Sequence, residues 1–300
     1  MFVSLVFAAC LPASSANAQA LPPVNLGFTT FLDGGFPAGP GIYFSQYLQS
    51  FDSHGTPDVE AFVSLTQVLF YWDKELPFGS KPGMNIILPA ASAELSGIPG
   101  PPRDNGAGLG DLLLGPELQF DPILDECGNP LFVHRFEAQF IIPTGEYSNT
   151  KEVNPGAGFF SFNPYWAGTL WLSPKLTTSI RAHYLWNAEN DDPSVNLPGT
   201  PTTVHSGQAF HMNFTAAYEV IPKKLRVGMN GYYLKQTTDV EFNGVDVVGM
   251  REQVLGIGPG LLYSFTEDQK QLLFLNAYFE SNARNRPEGV RLNLRYVCKF

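Results

Sequence analysis

The 300-residue chain is poor in several things at once. Its three cysteines are too few for a disulfide scaffold. No apolar run reaches the roughly 18 residues a membrane-spanning helix needs. Charged residues make up 15%, against about 25% in an ordinary soluble domain. Only 18 Lys and Arg stand against 28 Asp and Glu, a formal charge of −10. That balance excludes nucleic acid as a partner, because phosphate contacts need a basic surplus. What is abundant is 29 Gly, 25 Pro, 24 Phe and 12 Tyr. With a mean hydropathy of −0.05, the chain is too rich in apolar and aromatic residues for disorder. A β-rich chain with many turns remains.

Residues 1–20 read as a cleaved export signal. A short apolar stretch from Met1 to Leu11 leads to Ala16-Asn17-Ala18, an A-x-A pattern, with Ala18-Gln19-Ala20 two residues on. Cleavage after Ala18 or Ala20 leaves Cys127 and Cys298, too far apart in sequence to predict a disulfide. Residues 21–40 carry Pro22, Pro23, Gly34, Gly35, Pro37, Gly39 and Pro40, so they form no regular strand. They either fold into the barrel lumen as a plug or stay in the periplasm.

From 41 to 300 the pattern alternates with period two. Val290, Leu292, Leu294, Tyr296, Cys298 and Phe300 share one face, and Arg291, Asn293, Arg295 and Lys299 the other. In 176–187, Leu176, Ile180, Ala182, Tyr184 and Trp186 oppose Ser179, Arg181, His183 and Asn187. The same holds for 209–220 and 225–235. Extended along the chain, this reading gives about twelve strands, near 41–51, 60–73, 82–95, 108–120, 131–143, 159–172, 175–188, 207–220, 223–238, 250–265, 269–283 and 287–300. The first three alternate poorly. Tight turns at 173–175, 221–223 and 266–269 alternate with long polar loops at 144–158, 189–206 and 239–249. Short turns on one side and long loops on the other predict an all-β fold, a single transmembrane antiparallel β-barrel of the outer-membrane type. A soluble β-sandwich or lipocalin-like barrel fits less well. Strands of ten or more residues exceed the roughly five or six usual in a sandwich, and neither fold needs short turns to alternate with long loops. The terminal Phe300 fits the closing strand of such a barrel and points to the barrel-assembly machinery as a partner.

Several stretches carry a family resemblance: Gly41-Ile42-Tyr43-Phe44-Ser45-Gln46-Tyr47, Gly108-Leu109-Gly110-Asp111-Leu112, Ile142-Pro143-Thr144-Gly145-Glu146-Tyr147 and Phe162-Asn163-Pro164-Tyr165. The most specific is His183-Tyr184-Leu185-Trp186-Asn187-Ala188-Glu189-Asn190-Asp191-Asp192, followed by Gly231-Tyr232-Tyr233, Gly256-Ile257-Gly258-Pro259 and Asn285-Arg286-Pro287-Glu288-Gly289. Over about 41–300 the chain resembles the outer-membrane proteins associated with the meta-cleavage pathway of phenol degradation. It departs from them before Gly41, where only Ala38-Gly39-Pro40 stands in place of a proline run. The resemblance implies an outer-membrane barrel in a Gram-negative bacterium and a transport role without a defined substrate.

With apolar faces toward lipid, the opposite faces place Asp111, Glu117, Arg135, Glu137, Arg181, His183, His211, Glu219, Arg226, Glu280, Arg291, Arg295 and Lys299 in the interior. Five acids against six Arg and Lys form no single-sign ring of the kind that selects ions. Arg181, His183, His211 and Arg226 are candidates for a polar strip that a solute follows. Arg135, Glu137, Glu219, Arg291 and Arg295 complete the candidate path, with Phe274 and Tyr278 on the inner wall. His183 and His211 are expected to oppose each other, bonded to Arg181 and Asn213, with no third ligand in sight for a metal. Other residues here form no catalytic set: G-x-S-x-G is absent, and His134 faces outward with no serine beside it. No cofactor motif appears. The function expected is passive uptake of small hydrophobic or aromatic compounds. A structural or surface-binding barrel is the alternative, and a membrane-embedded hydrolase a more distant one. The acidic run Glu189-Asn190-Asp191-Asp192 reads as a solvated loop.

Overall fold

The computed structural model describes residues 21–97 and 103–300, apart from Pro23 and Pro37. The expected export signal, 1–20, lies outside the described residues. Twelve antiparallel strands close into one barrel. They are β1 (Gly41–His54), β2 (Asp58–Tyr71), β3 (Ser80–Ser96), β4 in two runs (Arg103–Leu109 and Leu112–Phe120), β5 in two runs (Pro130–Glu137 and Phe140–Ile142) and β6 in two runs (Ser161–Phe162 and Tyr165–Trp171). Then follow β7 (Leu176–Asn187), β8 (Ala209–Ile221), β9 (Leu225–Gln236), β10 (Gln253–Ser264), β11 (Gln271–Arg284) and β12 (Glu288–Lys299). Closure is made by β1, which pairs with β2 through Tyr47↔Leu65 and with β12 through Tyr47↔Arg295. A closed sheet has no free edge, which is what lets a strand structure stand in lipid.

The wall sorts its side chains as the alternation predicts. Phe62, Leu88, Phe136, Trp166, Ile180, Tyr184 and Trp186 are exposed on the outside. In water so much exposed apolar surface would be anomalous; against hydrocarbon it is the expected outer band. Glu137, His183, Asn187, His211 and Asn230 are buried inside. Aromatics are not confined to the lipid face. Tyr43, Tyr47, Phe51, Tyr71, Tyr165 and Tyr232 are buried in the interior beside Phe274 and Tyr278. Missing side chains make the room. A Cβ on Gly256 would lie 2.3 Å from the Tyr232 ring, so that ring lies flat on the neighbouring strand only because the position is glycine.

The connections depart from the expected alternation in two ways. Tight loops also occur at the long-loop end, at 55–57 and 285–287. The second is pinned by Asn285, which has a φ of 53° and donates from Nδ2 to the Gly249 and Arg251 carbonyls of the adjacent loop. The long polar loops 189–206 and 239–249, the first of which carries the acidic run expected to be solvated, pair with each other. Glu189–Asn190, Val204–His205, Val240–Phe242 and Val245–Val247 form a small separate sheet over the Leu197, Val204 and Val240 side chains. Within the acidic run, Asp192 accepts from Asn149 Nδ2 at 2.5 Å and ties two loops together.

Candidate functional site: the plugged lumen

The Gly/Pro-rich segment before β1 runs inside the barrel. It contacts side chains from β1, β4, β5, β6, β7, β8, β11 and β12, a set reachable together only from the interior. Gly27 sits at the centre. Its N–H donates to Asn213 Oδ1 at 2.8 Å, and its carbonyl accepts from Tyr278 Oη at 2.9 Å and Asn293 Nδ2 at 2.6 Å. A φ of 81° and a Tyr278 ring 2.6 Å from any added Cβ explain why glycine stands there. Gln49 Nε2 donates to the Leu26 carbonyl, and Gln119 Nε2 to that of Gly34. The Gly34 N–H donates to Thr169 Oγ1, and Lys299 Nζ to the Ala38 carbonyl. The described residues of the segment form no strand, so their backbone groups turn to wall side chains rather than to a ladder.

The two ends of the lumen differ. Toward the short-turn end, Phe31 is buried among Tyr43, Leu69, Tyr71, Leu262, Leu272 and Phe274, with Leu32, Phe36 and Ala38 packed alongside. Toward the long-loop end lies a cavity of about 1040 Å³. Phe28 of the segment and Val63, Leu65, Ile87, Leu113 and Ile141 of the wall give it an apolar side. Gln67, Asn85, Gln139, Asn163 and Arg181 give it a polar floor.

That floor is one hydrogen-bonded belt. Tyr47 Oη donates to Gln67 Oε1, Gln67 Nε2 to Asn85 Oδ1, and Asn85 Nδ2 to both Glu137 oxygens. Glu137 also accepts from Tyr165 Oη at 2.6 Å and Gln139 Nε2 at 3.1 Å. Asn163 links Gln139 to His211. Arg181, which is not bonded into this belt, sends Nε and Nη2 to the two oxygens of Asp33, each at 2.6 Å, and Arg135 Nη2 reaches Asp33 Oδ1 at 3.0 Å. Asp33 belongs to the segment and was not among the residues singled out in the sequence.

All nine candidate path residues are on the inside, yet they do not form one strip. Arg226 pairs with Glu219 and reaches Thr177 near the short-turn end. Arg291 binds Glu280 Oε1 at 2.9 Å and Gln49, with its guanidinium over Phe51. Arg295 lies over the Tyr47 and Phe274 rings. His183 and His211 oppose each other in register and stack with centroids 4.2 Å apart. Their expected bonds to Arg181 and Asn213 are not made. His211 Nε2 meets Asn163 Oδ1 at 3.0 Å, and the His183 ring lies against Tyr165 with centroids 4.8 Å apart. Arg181 and Asn213 are taken by the segment instead, which is the physical reason for the difference. His134 stacks outside the barrel on Phe120 at 4.3 Å and accepts from Trp166 Nε1. Among the described residues, no group of three or more His, Cys, Asp and Glu side chains is arranged to hold a metal ion.

A closed twelve-strand wall with an apolar outer band, enclosing a lumen that is packed at one end and hollow at the other, defines an outer-membrane β-barrel. The chain belongs to the family described as "Putative MetA-pathway of phenol degradation", which matches residues 38–296. No curated protein sequence matches it. Among solved structures, an outer membrane channel from Pseudomonas putida is similar with a TM-score of 0.76 and 19% identity, covering 93% of this chain and 100% of that one. The β-domain of the Bordetella autotransporter BrkA matches with a TM-score of 0.49 and 10% identity, over 87% of this chain and 100% of that one. A KdgM porin in complex with disordered oligogalacturonate matches with a TM-score of 0.43 and 8% identity, over 86% and 99%.

Proposed function

We propose that this protein is a passive outer-membrane channel for small, largely apolar solutes, aromatic compounds among them, and that residues 21–40 are its stopper. The observation that carries the reading is the cavity inside the barrel, apolar on the β2, β3 and β4 side, ending on a segment that forms no strand with the wall. Such a segment leaves by breaking side-chain bonds while the sheet stays closed. Membership of a family tied to phenol degradation and an apolar inner wall support aromatic solutes. Among the described residues no interior histidine is bonded to a Ser, Thr or Cys, which favours a channel over a hydrolase. Phe300, exposed at the end of the closing strand, supports a role as the signal read by the assembly machinery. Deleting it should lower the yield of assembled barrel in outer membranes, and an unchanged yield would refute that role.

The test of the channel is uptake of a small aromatic solute, such as toluene or phenol, into proteoliposomes. Uptake faster than in protein-free liposomes is expected; equal rates contradict the reading. One observation favours the alternative of a permanently closed, surface-binding barrel: the short-turn half of the lumen is packed with Phe31 and its neighbours. That reading predicts equal uptake rates even after residues 21–40 are deleted.

A further inference from the structure

Arg181 lines the cavity floor and Arg135 is buried beside it, and among the described residues neither makes an ion pair with a wall carboxylate. Two wall carboxylates lie close by, Glu117 and Glu137, directly opposed on β4 and β5. Glu137 is satisfied by amides and a phenol, from Asn85, Gln139 and Tyr165. Among the described residues, the ion pairs of both arginines are with Asp33 alone. The guanidinium of Arg181 lies 4.0 Å over the Tyr165 ring and that of Arg135 lies 4.6 Å over Phe36. Aromatic rings therefore cover the flat faces and leave the N–H edges for oxygen ligands. One such edge is still unfilled: Arg135 is 4% exposed and its Nε has no partner. Asp33 arrives on an element outside the sheet, and Arg181 grips it with the two-pronged geometry that suits any carboxylate.

We infer that Arg135 and Arg181 form a carboxylate-binding site, which Asp33 fills as the protein's own ligand. The solutes admitted are small amphiphiles with an apolar or aromatic body and a carboxylate, such as an arylcarboxylate. Their bodies lie against Val63, Leu65 and Ile87 in the cavity, and their carboxylates compete with Asp33 for Arg181. Solute binding thereby releases the stopper. This inference rests on the channel reading and adds the chemical class of the solute and the trigger.

The experiment compares benzoate with its neutral isostere benzamide on the full chain in planar bilayers, with calorimetric binding in detergent. Benzoate should raise conductance about tenfold more than benzamide at equal concentration. Asp33→Asn should conduct without solute and bind benzoate about tenfold more tightly, its internal competitor being gone. Adding Arg181→Gln to Asp33→Asn should keep the conductance and abolish benzoate binding. Equal responses to benzoate and benzamide in the unaltered protein would overturn the inference, and that comparison needs no variant to fold. Benzoate binding that survives in the double variant would reduce the arginine pair to an anchor, which also overturns it. A chain without residues 21–40 separates the two readings. If it fails to conduct, the channel itself is wrong; if it conducts without preference for benzoate, only the carboxylate site is.

Discussion

The two ends of the lumen are built from the same twelve strands and hold the segment 21–40 by different physics. At the short-turn end, Phe31, Leu32 and Phe36 are packed into a dry cluster with Tyr43, Tyr71 and Phe274. At the level of the cavity floor, the segment is held by polar groups: Gly27 by Asn213, Tyr278 and Asn293, and Asp33 by Arg135 and Arg181. Hydrophobic packing is non-directional and disfavours an unpaired charge, whereas the polar hold is specific and can be exchanged for another ligand. The difference teaches that the barrel is shut by a seal and latched by an ion pair, and the two should respond to different changes.

The largest effect is expected at the seal. Phe31→Asp puts an unpaired carboxylate where Phe31 is 2% exposed, at a cost of several kcal/mol. The segment should then leave the barrel, read as rapid protease cleavage within 21–40 in intact proteoliposomes. Persisting protection would mean the dry cluster does not hold it. Next comes the latch. Asp33→Asn removes the ion-pair partner that two buried guanidiniums share, about 3 kcal/mol or roughly a hundredfold in seating of the segment. Cleavage should be intermediate in rate, and a rate like that of the unaltered protein would show that the ion pair contributes nothing.

A smaller effect is expected at Gly27. Asn213→Ala strands a buried N–H at about 1–2 kcal/mol and should raise hydrogen exchange around Gly27 while leaving the seal intact. Loss of exchange protection across Phe31 as well would merge seal and latch into one unit. The smallest effect lies outside the lumen, in the turn 121–129. The Asn129 backbone N–H, then its side-chain amide, hold the Asp125 carboxyl below its ordinary range. A depressed value means the turn's bonds are complete above the ordinary carboxylate pKa of about 3.9 and are lost as pH falls through the depressed value. The Asn129 amide resonance should shift only below about pH 4, with conductance unchanged. Conductance following that titration would tie this turn to the seal.

Much of this was legible in the alternation. Arg181, His183 and Asn187 point inward because polar and apolar residues alternate cleanly along β7, and the same contrast along β8 predicts the His183–His211 pairing that the register shows. β2 and β3 were hard to read for a physical reason. Their long-loop halves turn Val59, Val63, Leu65, Ile87 and Leu95 toward the cavity, so both faces are apolar in places and the contrast vanishes. Ser64, Thr66 and Gln46 satisfy one another instead. The course of 21–40 was not legible, because a segment without period carries no face to assign. One signal pointed to its role. The interior positions show six basic groups against five acids, and Asp33 is the one charged residue between 21 and 40.

The central claim, that residues 21–40 rather than the wall close this barrel, is tested most directly by single-channel conductance of the full chain against a chain lacking them. The account predicts rare, brief openings in the full chain and a stable open level in the shortened one. Matching closed traces, with the shortened barrel folded, would contradict it.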